Sequence, residues 1–291
     1  METTLIFHGG LDLPHFAAFV LLDEERGIEA LRDYYLPYVE LARTNGVGLI
    51  LDTPTWRANP DWGDLLGYSR EALVDVNRRG VELLAGLRTG LEGEFDLVIS
   101  GCVGPRGDGY RAGDLMTPSE AERYHALQID AFAGAEADLV TALTLTYAAE
   151  AVGIVRAAEA AAMPVAVSFT VETDGRLPNG VPLGEAVTEV DDATDGAAVY
   201  FMINCAHPTH FAHVLEDGGP WVERIRGLRA NASAKSHAEL DESEELDEGD
   251  PLELAHQYRS LARWLPNLTV VGGCCGTDER HVGAICSAWL V

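Results

Sequence analysis

The chain has 291 residues, of which 47 are acidic and 20 are basic, so its formal net charge is −27 at pH 7. A surface of this sign repels nucleic acid and anionic membranes, because both are bound through basic patches. No run approaches the roughly 18 apolar residues that span a bilayer, and the first residues do not have the pattern of a signal peptide. We therefore expect a cytoplasmic protein whose partners are small molecules rather than nucleic acid or membranes, and the sequence leaves both a monomer and a homo-oligomer open.

Short apolar runs rich in β-branched residues alternate with longer helical patterns along the whole chain, as is typical of βαβ units and a parallel sheet. The predicted strands are Thr4–Phe7, Gly48–Asp52, Asp96–Ser100, Leu139–Leu143, Val165–Thr170, Ala198–Asn204, Arg226–Asn231 and Thr269–Gly272. The predicted helices are Ile28–Asn45, Arg70–Thr89, Pro118–Ala135, Ala148–Ala161, Gly184–Asp191, Pro208–Asp217, Leu252–Trp264 and Asp278–Leu290. Eight strands alternating with eight helices most simply close into one α/β domain over residues 1–291, a (β/α)₈ TIM barrel. An open doubly wound sheet is the alternative, but His8-Gly9-Gly10 after the first strand does not match a dinucleotide-binding fingerprint.

Three of the five cysteines follow predicted strands. Cys205 follows the sixth strand, and Cys274 and Cys275 follow the eighth. Successive side chains of a regular strand point to opposite faces, so two adjacent cysteines meet one ion only if the chain curls, as the three glycines of Gly272–Gly276 allow. The carboxyl ends of barrel strands form one face, and three protein ligands with an open fourth position are typical of catalytic zinc. The alternative is that the three are buried thiols that pack as small hydrophobic groups.

The remaining candidate ligands are better explained by packing. Cys102 follows the third strand and Cys286 lies in the last amphipathic helix, where buried thiols are common. His207, His210 and His213 recur every third residue, but the helical period turns the third away from the first two. We predict no metal bound by these histidines.

Two loops stand out by composition. Gly104–Asp114 is rich in glycine and arginine and is either a cover over the site or an ordinary surface loop. Glu239–Asp250 is an acidic run, for which we expect a solvated segment without chemistry.

Several motifs together resemble the homocysteine S-methyltransferase family over essentially the whole chain. They are Asn204-Cys205 after the sixth strand, Gly272–Gly276 after the eighth, and Thr53–Asn59 after the second. Ser168–Thr170 and Asp174–Leu177 after the fifth strand add to the match. The cysteine motifs are the specific part of this resemblance.

The resemblance implies a zinc-containing (β/α)₈ barrel whose Zn²⁺ is held by Cys205, Cys274 and Cys275. It further implies methyl transfer to a zinc-bound thiol such as homocysteine, as in methionine biosynthesis, from a sulfonium or ammonium donor or a methylated folate. Zinc keeps the thiol in its nucleophilic thiolate form. A cationic donor favours aromatic faces, for which Trp56 and Tyr147 are candidates.

Two positions depart from the family pattern. His8 stands where the family has an acid, and Leu143–Thr146 lacks the family's glutamate, so both carboxylates that would hold an ammonium group are missing. His8, Trp56, Arg57 and Asn204 are the predicted substrate-binding residues, and the first and third can donate to carboxylate oxygens. We therefore expect an acceptor without a free ammonium group, such as a mercapto acid. Alternative hypotheses are a non-catalytic zinc- or thiol-binding barrel and a zinc enzyme that acts on water.

Overall fold

The computed structural model describes residues 1–91, 93–243 and 245–290. Its strands are β1 (Leu49–Asp52), β2 (Leu97–Val103), β3 (Leu139–Leu145), β4 (Val165–Phe169), β5 (Tyr200–Asn204), β6 (Ile225–Ala230) and β7 (Val270–Gly273). Its α-helices are α1 (Glu25–Asn45), α2 (Pro60–Leu65), α3 (Arg70–Thr89), α4 (Pro118–Ala133), α5 (Ala148–Ala160), α6 (Leu183–Ala193), α7 (Pro208–Asp217), α8 (His237–Asp241), α9 (Pro251–Leu261) and α10 (Glu279–Trp289). Shorter helical turns cover Thr4–His8, Pro14–Phe16, Ala18–Asp23 and Pro220–Arg224.

The seven strands form one parallel sheet in which each strand pairs with the next along the chain, from β1 to β7. The sheet is curled. This is seen from Arg229 on β6, which reaches across the sheet to form an ion pair with Asp52 at the end of β1. A cavity of about 450 Å³ lies between the two end strands and is lined by β1, β7, α1 and α10. All seven carboxyl ends therefore lie on one face, as the barrel prediction requires. The predicted α/β barrel class is confirmed.

The central strands are mostly apolar, because helices cover the outer face of the sheet and side chains fill the inner one. Every residue of β3, β4 and β5 is buried. The helix α4 packs so closely on β2 that a Cβ on Gly101 would lie 2.3 Å from the ring of Phe132. Across the three described stretches, no helix combines the length and apolar character needed to cross a bilayer.

The predicted first strand, Thr4–Phe7, is wrong. These residues form a π-helical turn over Thr4–His8, in which Gly9 N–H donates to the carbonyl of Thr4. A run of only four apolar residues carries no period that separates a strand from a helix, and here local hydrogen bonds decide. The sheet consequently has seven strands where eight were predicted.

Part of the predicted acidic loop is ordered. Its first residues lie in α8, which begins with a capping box in which Ser236 accepts from the backbone N–H of Glu239. Within the run, Glu244 lies outside the described residues. The short helices α2 and α8 were not predicted, because each has fewer than seven residues and little periodicity.

Candidate metal centre

The three strand-end cysteines meet at the carboxyl face of the sheet. The Sγ of Cys205 lies 2.8 Å from the Sγ of Cys274 and 3.6 Å from the Sγ of Cys275. All three ligand atoms lie within 4.8 Å of one another. Tetrahedral zinc with bonds of about 2.3 Å places its sulfur ligands about 3.8 Å apart. The cluster thus fits such an ion once the sulfurs of Cys205 and Cys274 separate by about 1 Å.

Cys205 holds an unusual backbone conformation. Its φ is 56°, in the left-handed region that residues with a side chain rarely adopt. Its carbonyl accepts hydrogen bonds from Nδ2 of Asn231 at 3.1 Å, Nε2 of His237 at 2.8 Å and Oγ1 of Thr170 at 3.3 Å. These donors hold the strained residue in place, and backbone strain of this kind is common at functional sites.

Asn231 also joins the two cysteine segments. While its Nδ2 donates to the carbonyl of Cys205, its Oδ1 accepts from the backbone N–H of Cys275 at 3.0 Å. The backbone N–H of Cys274 donates to the carbonyl of Ala230 at 2.9 Å. One buried amide therefore fixes the position of the two segments relative to each other.

The glycines around the cysteine pair contribute in different ways. Gly276 has a φ of 76°, so the predicted curl is made there. A Cβ on Gly273 would lie 2.1 Å from Oγ1 of Thr277, so this position needs glycine for space. Neither Gly272 nor Gly273 has a positive φ, so the predicted conformational role is wrong at both residues, and Gly272 also has ordinary room for a side chain.

The cysteine thiols of the cluster differ in their pKa. Hydrogen bonds from Cys205 and Cys275 hold the pKa of the Cys274 thiol well below its ordinary value, and the nearby charge of Arg229 acts in the same direction. The same hydrogen bonding, together with burial, raises the pKa of Cys205 well above its ordinary value. Of these two thiols, Cys274 is therefore the one that loses its proton more readily.

Tyr110 covers the cluster. Its hydroxyl lies 3.5 Å from the Sγ of Cys275 and 3.7 Å from that of Cys205. Its ring stacks on His237 at a centroid distance of 4.2 Å. The loop Gly104–Asp114 thus lies over the cysteine cluster, in agreement with the first of the two predicted alternatives.

Tyr110→Ala should make the cysteines of the metal-free protein react faster with iodoacetamide, because it removes the ring and hydroxyl that shield them. Tyr110→Phe is the matched control, since it retains the ring and its stacking on His237. Alkylation is followed by mass spectrometry. Equal rates for the wild type and the alanine variant would show that the loop does not shield the site.

Asn204, one of the predicted substrate-binding residues, is fully engaged within the protein. Its Oδ1 accepts from the N–H of Thr144 at 2.9 Å and the hydroxyl of Ser168 at 2.6 Å. Its Nδ2 donates to Oγ1 of Thr144 at 2.8 Å and lies 3.8 Å from the sulfur of Cys274. The side chain therefore positions Cys274 relative to β3 and β4, and a substrate contact stays a prediction.

The two candidate aromatic residues are also held by the protein. The indole of Trp56 donates to the carbonyl of Leu143 at 3.2 Å, and the guanidinium of Arg57 lies 4.7 Å from the ring centroid. One face of Trp56 thus already carries a cation. The hydroxyl of Tyr147 accepts from the N–H of Met116 at 3.0 Å.

His8 lies in a different environment from the one expected for the end of a strand. Its Nε2 forms a 2.6 Å contact with a carboxylate oxygen of Glu248, and Asp278 completes a cluster with these two. Arg280 also binds the carboxylates of Glu248 and Asp278, so this acidic cluster already has a cation. Substrate binding by His8 stays a prediction.

The other histidines and cysteines behave as packing predicts. The side chain of His207 caps α7, and the Nε2 atoms of His210 and His213 donate to the carbonyls of Ala234 and Asp174. Cys102 is buried in β2, and Cys286 lies on α10 outside the cysteine cluster.

Tyr110, Asn231 and His237 were not found from the sequence. Asn231 follows β6 directly, so the rule that site residues lie at strand ends was an available signal. Tyr110 and His237 lie in loops or short helices whose path no local pattern specifies.

Comparison with known proteins identifies the family of the chain. The family model for homocysteine S-methyltransferase matches residues 1–289. The chain belongs to the homocysteine S-methyltransferase family. Members of this family are methyltransferase enzymes, and so is this protein.

Solved structures of one bacterial protein share the fold. The metallated form of the homocysteine methyltransferase MmuM from Escherichia coli superposes with a TM-score of 0.75 at 19% identity, covering 99% of this chain and 93% of that one. Its oxidized form gives a TM-score of 0.75 at 21% identity, and its apo form 0.67 at 20% identity, with the same coverage. No curated relative matches the chain.

Proposed function

We propose that the protein transfers a methyl group from a sulfonium or ammonium donor to a thiol acceptor at a zinc ion held by Cys205, Cys274 and Cys275. The observation that carries this proposal is the convergence of three sulfurs at the carboxyl face of the sheet, within 4.8 Å of one another. Thiolate sulfur is a ligand that zinc prefers, and three such ligands leave a position for substrate. Family membership supports the reaction class.

The chemistry requires a sulfur nucleophile and a donor methyl group in line with it. A bound zinc ion would keep the acceptor thiol deprotonated at neutral pH, which is its nucleophilic form. The methyl carbon then forms a bond to that sulfur as its bond to the cationic donor atom breaks, and the donor leaves as a neutral thioether or amine. Because the acceptor attacks as a thiolate and the donor leaves as a neutral molecule, the transfer step needs neither a general base nor a general acid, and orientation and proximity supply much of the rate.

The residues around the cysteines would each serve this transfer. Asn231 and His237 hold the backbone of Cys205, and Asn204 positions the sulfur of Cys274. Tyr110 would exclude water from the sulfurs until the acceptor enters and displaces it. Exclusion of water strengthens the electrostatic interactions within such a site.

The proposal is tested by metal analysis and activity together. Protein purified without added metal should contain about one zinc per chain, as expected for three cysteine ligands. That protein should methylate a thiol when supplied with S-methylmethionine, S-adenosylmethionine or betaine, followed by mass spectrometry of the product. Zinc well below stoichiometry in protein never exposed to chelator or oxidant would contradict the proposal, and so would zinc-replete protein that methylates no thiol with any donor.

A further inference from the structure

Arg57 is a fixed cation without a partner. Its guanidinium lies between two indole rings, 4.7 Å from the centroid of Trp56 and 3.9 Å from that of Trp62. Its Nε and Nη1 are buried and have no hydrogen-bond partner among the described residues. A buried donor left without a hydrogen-bond partner costs free energy. Such a cost is removed when an anion binds.

The chain segment around Arg57 is held in place, so the missing hydrogen-bond partner of the Arg57 guanidinium does not reflect a loosely held loop. The fully buried side chains of Asn77 and Gln128 donate to the carbonyls of Ala58 and Thr55 at 2.9 and 3.0 Å. Asn59, also fully buried, caps α2. The chain on both sides of Arg57 is therefore fixed by interior hydrogen bonds.

Contacts connect Arg57 to the cysteine cluster. A Cβ built on Gly109 would lie 3.1 Å from the ring of Trp56, so the ring of Trp56 packs directly against the loop. The next residue, Tyr110, reaches the sulfurs of the cluster. Arg57 thus lies at the same mouth of the barrel as the metal centre, separated from the loop by one aromatic ring.

Two carboxylates near the cluster are already paired with cations or a histidine. The carboxylate of Asp52 is paired with Arg229, and that of Glu172 with His237. An ammonium group would therefore have to break one of these two pairs to gain Asp52 or Glu172 as an acidic partner. Arg57, in contrast, forms no ion pair with a described residue, although the chain as a whole has a net charge of −27.

We propose that Arg57 binds the carboxylate of a substrate of the methyl-transfer reaction. This inference rests on the proposed function and specifies the chemical class of its substrate. A planar guanidinium matches the two oxygens of a carboxylate, and the flanking indoles hold it in one orientation. The carboxylate belongs either to the thiol acceptor or to an amino-acid sulfonium donor, since both carry the same group.

The test compares ligands that differ only in the carboxylate. Isothermal titration calorimetry on the zinc-loaded protein uses 3-mercaptopropionate against its carboxamide, and S-methylmethionine against its carboxamide. We expect the acid of one pair to bind at least about tenfold more tightly than its amide, which corresponds to about 1.4 kcal/mol. Arg57→Gln should abolish that preference. Arg32→Gln, which makes the same change at an exposed position on α1, should leave it intact.

The pair whose preference is lost identifies the source of the carboxylate, and loss in either pair supports the proposal. The proposal is overturned if Arg57→Gln leaves the acid-to-amide ratio of both pairs at its wild-type value. It is also overturned if wild-type protein shows no preference in either pair. Zinc content and circular dichroism of each variant establish that it is folded. Because the readout is binding, it decides the role of Arg57 even if no methyl transfer is detected.

Discussion

Cys274→Ser should lose both the metal and methyl transfer. The Cys274 sulfur is the one whose pKa is held below its ordinary value by hydrogen bonds from Cys205 and Cys275, which favours the thiolate form that binds a metal cation. A serine hydroxyl does not ionise at neutral pH and is a poor zinc ligand. We expect zinc affinity to fall by more than the roughly 10–100-fold that the loss of an outer-shell partner costs. Zinc analysis after gel filtration and a methyl-transfer assay measure the two effects.

Cys286→Ser is the control for this substitution. Cys286 is a free thiol on α10 and lies outside the cysteine cluster, so its replacement should change neither zinc content nor activity. If Cys274→Ser retains stoichiometric zinc and wild-type turnover, Cys274 is not a ligand and the three-cysteine centre is wrong.

Most of the fold follows from the alternation of strand and helix patterns. The seven observed strands and their helices differ from the predicted bounds by at most three residues. The interior strands were predicted correctly because their residues are buried on both faces, which leaves a mostly apolar run in the sequence. Thr4–Phe7 has the same composition, but its four residues are satisfied by local hydrogen bonds in a helical turn.

That error has a consequence at the site. A strand over Thr4–Phe7 would have placed His8 at the carboxyl face, beside Arg57. Because the segment is helical, His8 instead contacts Glu248. Arg57 follows β1, whose prediction is confirmed.

The meeting of the three cysteines was predictable from the sequence, and the groups that support the cluster were not. A cysteine at the end of a strand has a position set by the sheet, so Cys205, Cys274 and Cys275 can be placed from the sequence alone. His237 acts through one hydrogen bond to a backbone carbonyl, 32 residues distant in sequence. No periodicity encodes such a contact, because it depends on the path of a loop.

Arg229→Met should destabilise the fold by about 2–4 kcal/mol, between the values for surface ion pairs and for buried ones. Arg229 pairs with Asp52 across the curled sheet, and the two side chains are 26% and 14% exposed. Its Nε also donates to the carbonyl of Gly273, immediately before the cysteine pair. Methionine fills similar space but leaves the Asp52 carboxylate without its counter-charge. Urea unfolding measures the loss as a lower midpoint with an unchanged slope.

Two further variants separate the ion pair from a general effect of losing an arginine. Arg226→Met makes the same change at an exposed position of the same strand and should alter the free energy of unfolding by less than about 0.5 kcal/mol. Combining Arg229→Met with Asp52→Asn should recover part of the stability, since the unpaired charge that causes most of the loss is then gone. If the double variant is less stable than Arg229→Met alone, the cost does not arise from the uncompensated carboxylate. The contribution of Arg229 would then lie in its packing and in its hydrogen bond to Gly273.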